Sequence, residues 1–252
     1  MSNELNGRGG VVRFGGAEIS DLAGWNWDGD LSLEEIKRLA YGTKRSIVKN
    51  IGWKVTAEIS LDILTRQAGT IGIGTWTGFN LQEYSFEASA ALQETTGALD
   101  IWQTFNPNEM SWQLEASRWD TADQFAIFAA MAINGAIDPT VTVNVATPFG
   151  NGIGVMDKTG IKADDNSIKS NLSVQSGSGD MPTAGTYLSG YLGYITAAIQ
   201  SVLTQGYAAP LQLELPRGGS GMAFLQKMKV TCPAGVIKGS LEFQGSGVFT
   251  PW

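Results

Sequence analysis

The sequence predicts a mainly β fold, a sandwich or barrel, from three observations. Apolar and polar residues alternate with period two over much of the chain. Glycine-rich turns separate the alternating runs, and one segment breaks clearly to a helical period. The clearest strand carries Trp53, Val55, Ala57, Ile59, Leu61 and Ile63, alternating with Lys54, Thr56, Glu58, Ser60 and Asp62. One face of such a strand enters a core and the other stays wet.

The remaining strands follow the same rule. Trp25, Trp27, Leu31 and Leu33 alternate with Asn26, Asp28, Asp30 and Ser32. Tyr84, Phe86, Ala88, Ala90 and Leu92 form another series, and Trp112, Leu114 and Ala116 begin a further one. Val141, Val143 and Val145 then give a valine strand, Leu211, Leu213 and Leu215 a short one, and Met228, Val230, Leu241 and Phe243 the C-terminal strands.

The break in period runs from Asp120 to Asn134. Asp120 is placed as an N-cap, Asp123 sits near the positive helix end, and Asn134-Gly135 stops the segment. Phe125, Phe128, Ala129, Ala132 and Ile133 make one apolar face, while Ile127, Ala130 and Met131 make the other side apolar too. A helix of about 120–134 that is apolar all round needs cover all round, either inside a thick domain or with the sheet on one side and another subunit on the other.

The organisation expected is an N-terminal arm at 1–10, a first β part at 11–147, a loop-rich insertion at 148–221 and C-terminal strands at 222–252 completing the fold. The insertion is rich in Gly, Asn, Asp, Ser and Lys. Gly150, Gly152 and Gly154 read as a flexible turn, and 187–204 supplies a possible second helix. A weak internal repeat at an offset of about 59 aligns Trp27 with Phe86, Glu35 with Glu94, and Trp53 to Ala57 with Trp112 to Ala116.

Composition removes many chemistries. The 252 residues include 17 basic and 24 acidic side chains, a formal charge of -7, no histidine and one cysteine. Histidine-dependent catalysis and His-ligated metals are excluded, and Cys232 alone makes no disulfide or Cys-x-x-Cys motif within the chain. No Walker lysine motif or dinucleotide fingerprint is present. Ser178 and Ser246 lie between glycines without a base to activate them. Neighbouring acids such as Asp28 with Asp30 or Glu83 with Glu87 are expected by chance among 24, so no enzyme and no cofactor are expected. The acidic balance argues against a nucleic-acid grip. Residues 1–10 lack a secretory pattern, and the apolar runs are too short or too interrupted to span about 30 Å of hydrocarbon, so the expectation is a soluble chain made in the cytoplasm. Lys37, Arg38, Lys44, Arg45 and Lys49 cluster in a chain that is otherwise net negative, a pattern that fits a solvated hairpin loop or a contact with an acidic neighbour.

The order of features then becomes specific. Trp112-Gln-Leu-Glu-Ala-Ser-Arg-Trp-Asp120 leads into the helical segment and a valine strand, and the chain closes on Lys238-Gly-Ser-Leu-Glu-Phe-Gln-Gly-Ser-Gly-Val-Phe249. Together with Val12-Arg-Phe-Gly-Gly-Ala-Glu-Ile-Ser-Asp-Leu-Ala-Gly-Trp25, this resembles the major tail tube protein of long-tailed bacteriophages over residues 11–35, 83–149 and 223–250. The resemblance implies a tail-tube-type β-sandwich or barrel with one flanking α-helix. It also implies hexameric rings of the chain that stack into a conduit for genomic DNA in the virion tail, assembled in the bacterial host cytoplasm. The partners implied are further copies, tape-measure and tail-end proteins, and DNA as transient, unbound cargo, with no membrane. On that reading Ile127, Met131, Lys44 and Arg45 are candidates for the subunit interface, and Glu83, Glu87, Asp28 and Asp30 for acids facing the lumen. The alternative from another class is a carbohydrate-binding or adhesion β-sandwich using exposed tryptophans.

Overall fold

The computed structural model of the chain describes residues 10–19, 22–37, 44–61, 69–73, 76–119, 142–147, 150–164, 167–176, 209–214, 218–232 and 237–252. They are mainly β. In chain order the strands are β1 (Val11–Phe14), β2 (Ala17–Glu18), β3 (Leu22–Lys37), β4 (Lys44–Leu61), β5 (Gly69–Ile73), β6 (Trp76–Leu81) and β7 (Glu83–Glu94). There follow β8 (Phe105–Trp119), β9 (Thr142–Thr147), β10 (Gly150–Asp164), β11 (Ser167–Ser176), β12 (Ala209–Glu214), β13 (Gly219–Cys232) and β14 (Ile237–Pro251). The helix expected at 120–134 and the second at 187–204 lie outside the described residues.

The strands join into one open sheet. Its spine runs β3-β4-β14-β13-β7-β8-β11-β10 and continues through β9, β5 and β6. β13 is the branch point. One of its sides pairs with β14 along its length. The other side is divided between β12 at Gly219–Ala223 and β7 at Lys227–Cys232. β12 continues to β1 and β2, and Phe14 on β1 stacks on Phe243 of β14 with ring centroids 4.9 Å apart. The core lies on the inward phase read from the sequence: Trp53, Val55, Ala57, Ile59, Tyr84, Phe86, Trp112, Leu114, Met228, Val230, Leu241 and Phe243 are all buried.

The weak repeat proves to be a duplication of structure. The β3–β4 hairpin pairs Trp25 with Ala57, Trp27 with Val55 and Gly29 with Trp53. Adding 59 to each number gives Tyr84 with Ala116, Phe86 with Leu114 and Ala88 with Trp112, the pairs found between β7 and β8. The β-bulge coincides as well, between Ser32 and Leu33 in the first hairpin and between Ala91 and Leu92 in the second. A second offset, 69, maps β13–β14 onto β10–β11. Leu225 with Phe243 becomes Met156 with Val174, and Lys227 with Glu242 becomes Lys158 with Ser173, with a register shift at the same step in both. Bulges sit at particular positions and re-aim strands, so their coincidence at both offsets is a far more specific signal than shared alternation.

Among the described residues the chain therefore holds two seven-strand modules of identical connectivity. The first comprises β1 to β4 with β12 to β14, and the second, β5 to β11, is inserted between β4 and β12. In each, a short hairpin (β1–β2, β5–β6) pairs with the strand (β12, β9) that precedes the long hairpin (β13–β14, β10–β11).

This corrects the reading of 148–221 as loop-rich over residues 150–164, 167–176 and 209–214, while 177–208 lie outside the described residues. Gly150, Gly152 and Gly154 are strand residues of β10 opposite Thr147, Val145 and Val143, and β11 pairs with β8 inside the main sheet. The alternation is hidden because small residues hold the inward positions. A side chain at Gly154 would collide with Val174 and approach the Trp112 ring to 2.8 Å, and Ser170 is buried in phase with Leu172 and Val174.

Candidate assembly surface

The two modules meet where β13 pairs with β7. Lys227 lies opposite Ser89, Met228 opposite Ala88, Lys229 opposite Glu87, Val230 opposite Phe86 and Thr231 opposite Ser85. On the inward phase Met228, Ala88, Val230 and Phe86 fuse the two cores. On the polar phase the Lys227 ammonium reaches Glu87 Oε1 at 2.8 Å. That hydrogen bond from Lys227 to Glu87 is the main reason the ammonium titrates above the usual lysine range. Burial opposes it, and the charges of Glu87 and Glu242 add to it.

The polar phase continues across the spine as a field of mixed sign. Lys54, Glu87, Lys227 and Glu242 line one open groove of about 580 Å³, and Glu83, Glu115 and Lys158 border another of about 640 Å³ beside Asn171 and Ser173. Among the described residues no group of three or more acidic or sulfur side chains is placed to hold a metal ion, and no helix is long and apolar enough to cross a membrane.

The β3–β4 hairpin projects beyond the part of β4 that β14 covers, since β14 pairs with β4 only from Lys54 to Leu61. The apolar phase is exposed at Trp27 beside the covered part of β4 and, past that point, at Leu31, Leu33 and Val48. β14 leaves β4 through Gly245 to Val248, and residues 101–103 take its place. Ile51 N–H donates to the Ile101 carbonyl at 2.7 Å, Gln103 N–H to the Ile51 carbonyl at 2.9 Å, and Gly247 N–H to the Gln103 carbonyl at 2.7 Å. A tight turn, in which Gly97 N–H donates to Asp100 Oδ2 at 2.9 Å, presents Leu99 at 97% exposure and Ile101 at 62%. These hydrogen bonds fix the turn against the first module and leave an apolar knob beside the exposed strip of the hairpin.

The four acids singled out in the sequence all lie on polar phases. Asp28 faces Lys54 across β4 and accepts from Asn26 at 2.8 Å. Asp30 is opposite Gly52, Glu83 opposite Ser117, and Glu87 holds Lys227. β4, β14 and β13 separate the two acids on β3 from the two on β7, a span of about 19 Å at the usual strand spacing. Lys44 and Arg45 begin β4 opposite Lys37 and Ile36, while Ile127 and Met131 lie outside the described residues. Trp53 and Trp112 are buried in the core, which removes them as sugar platforms.

Sequence reasoning passed over the edges. Among the described residues β3 pairs only with β4, and β10 beyond Val155 pairs only with β11. The available signal was the offset of 59, which makes β3 the counterpart of an interior strand. No family model matches the chain, and no curated protein is similar to it.

Proposed function

We propose that the chain is a structural subunit of a bacteriophage tail tube, building stacked rings in which six of its β-modules surround a channel for genomic DNA. The observation that carries the reading is a β-sheet module repeated edge to edge within one chain, ending in edges that are unpaired among the described residues. Such a sheet can be extended by further copies, and the exposed knob and hairpin offer apolar surface for contacts along a stack. The quoted resemblance supplies the specific assembly. On this reading each module is a tail-tube-type β-sandwich, and segment 120–134 is its flanking helix. The polar face of the spine lines the channel, and the role is architectural rather than catalytic. Partners are further copies, the tape-measure and tail-end proteins, and DNA that passes without binding.

Negative-stain microscopy and light scattering of the purified protein over a concentration series test it. Rings or tubes are expected. A strictly monomeric species at every concentration, even with other tail components supplied, overturns it. Ile127→Lys or Met131→Lys is expected to block ring formation, because an unpaired charge buried in an interface costs several kcal/mol.

A further inference from the structure

The geometry points to direct strand pairing between copies of this chain, β10 of one copy against β3 of the next, in the register that β13 and β7 use inside the chain. The second copy is the partner, and the intramolecular junction is its template. β13 maps onto β10 by subtracting 69, and β7 maps onto β3 by subtracting 59. Applied to the pairs between β13 and β7, these offsets place Lys158 opposite Asp30 of the next copy, Thr159 opposite Gly29, Gly160 opposite Asp28, Ile161 opposite Trp27 and Lys162 opposite Asn26.

Three independent features of the edges fit this register. Both strands have unpaired edges where the contact falls, among the described residues. Trp27 is 40% exposed on β3, whereas Phe86, its counterpart at the internal junction, is 5% exposed because Val230 and its strand cover it. A neighbour's β10 brings Ile161 to the same place. The charges also correspond: Lys158 is the counterpart of Lys227, and Asp28 of Glu87, so the 2.8 Å ion pair at the internal junction has its charges reproduced across the chain boundary. Asp28 and Asp30 on one edge face Lys158 and Lys162 on the other, which selects this head-to-tail contact over pairing β3 with itself. The same mapping makes Lys44 and Arg45 the counterparts of Gln103 and Thr104, whose segment docks on Gly247, and so carries both residues to the neighbouring copy.

A contact between two different edges closes into a ring or runs on as a filament. Resting on the proposed tube for the number of modules, a ring of six modules is completed by three copies, because each brings two.

The test uses the full chain with Cys232→Ser. Lys158→Cys combined with Asp30→Cys places two thiols at directly opposed positions, where Cβ atoms of paired strands lie about 4.5–5.5 Å apart. Oxidation at assembling concentration is expected to give a covalent ladder on denaturing electrophoresis. Lys162→Cys with Asp30→Cys, four residues out of register, is expected to give at least tenfold less. Equal ladders, or none from the in-register pair, overturn the inference. Separately, Lys158→Glu is expected to weaken association at least tenfold, and adding Asp28→Lys with Asp30→Lys to restore it. A triple variant as defective as the single one also overturns it. Tubes without the in-register crosslink remove this inference and leave the tube standing, whereas a crosslinked ladder without tubes does the reverse.

Discussion

Trp53 donates its indole N–H to the carbonyl of Gly247 at 3.0 Å, linking strands 194 residues apart. The ring lies flat on backbone without side chains. A Cβ at Gly245 would overlap the indole, one at Gly221 would come within 2.5 Å of it, and Gly247 has φ 85°, which other residues rarely adopt. Phe249 closes over the ring at 5.1 Å. The Gly-Ser-Gly run near the C-terminus is thus the seat of a tryptophan, and its bulge is where β14 turns away from β4. Ser246 contributes as well, its Oγ accepting from Phe105 N–H at 3.1 Å.

Gly245→Ala is therefore expected to destabilise the chain by about 3 kcal/mol, the upper range for overpacking a core. Thermal unfolding should show a fall of about 6–12 °C for a chain of this size. An unchanged melting temperature would mean that the indole can shift aside.

Strands such as β4 were open to sequence reading because large apolar residues mark every second position, as at Trp53, Val55, Ala57 and Ile59. β10 and β11 were not, because Gly154 and Ser170 occupy inward positions where a neighbour's bulk fills the space. The duplication showed at few positions in the sequence, most clearly where both modules kept a tryptophan, at Trp53 and Trp112. Many other counterparts keep register but differ in size or polarity: Val174 stands for Phe243, Met156 for Leu225 and Ser173 for Glu242. Register and bulges are properties of pairing, and a single strand's sequence does not display them.

The Lys227–Glu87 pair carries a pH prediction. Lys227 titrates above its ordinary value of 10.5 in the folded chain, so its contribution is fully present below that value and is lost as pH rises through the folded pKa. The gap in urea midpoint between wild type and Lys227→Met should stay constant from pH 6 to 9 and close in strong alkali. A gap that instead closes on acidification only to pH 6 would assign the stabilisation to another group.

Leu99→Asp tests whether the knob serves assembly rather than folding. At 97% exposure the side chain adds little to the folded state, so the stability change should stay within about 0.5 kcal/mol while sedimentation reports loss of higher assemblies. A large stability loss would show that Leu99 belongs to the core; intact assembly would remove the knob from the stack.

Assembled tubes should not retain duplex DNA. Lysines on the polar face are interleaved with acids, and Lys227 is already committed to Glu87, so few ammonium groups are free to displace counterions. Filter binding at low ionic strength should show no tight, salt-sensitive retention. Strong retention with a steep salt slope would mean that a different, basic surface lines the channel.

The most direct measurement is the number of chains in one ring, read by native mass spectrometry of isolated rings and by the symmetry of their microscopy images. The account predicts three chains of 26.8 kDa forming a ring that looks sixfold at low detail and threefold once the two modules are distinguished. Six chains per ring, or no ring at any concentration, would contradict it.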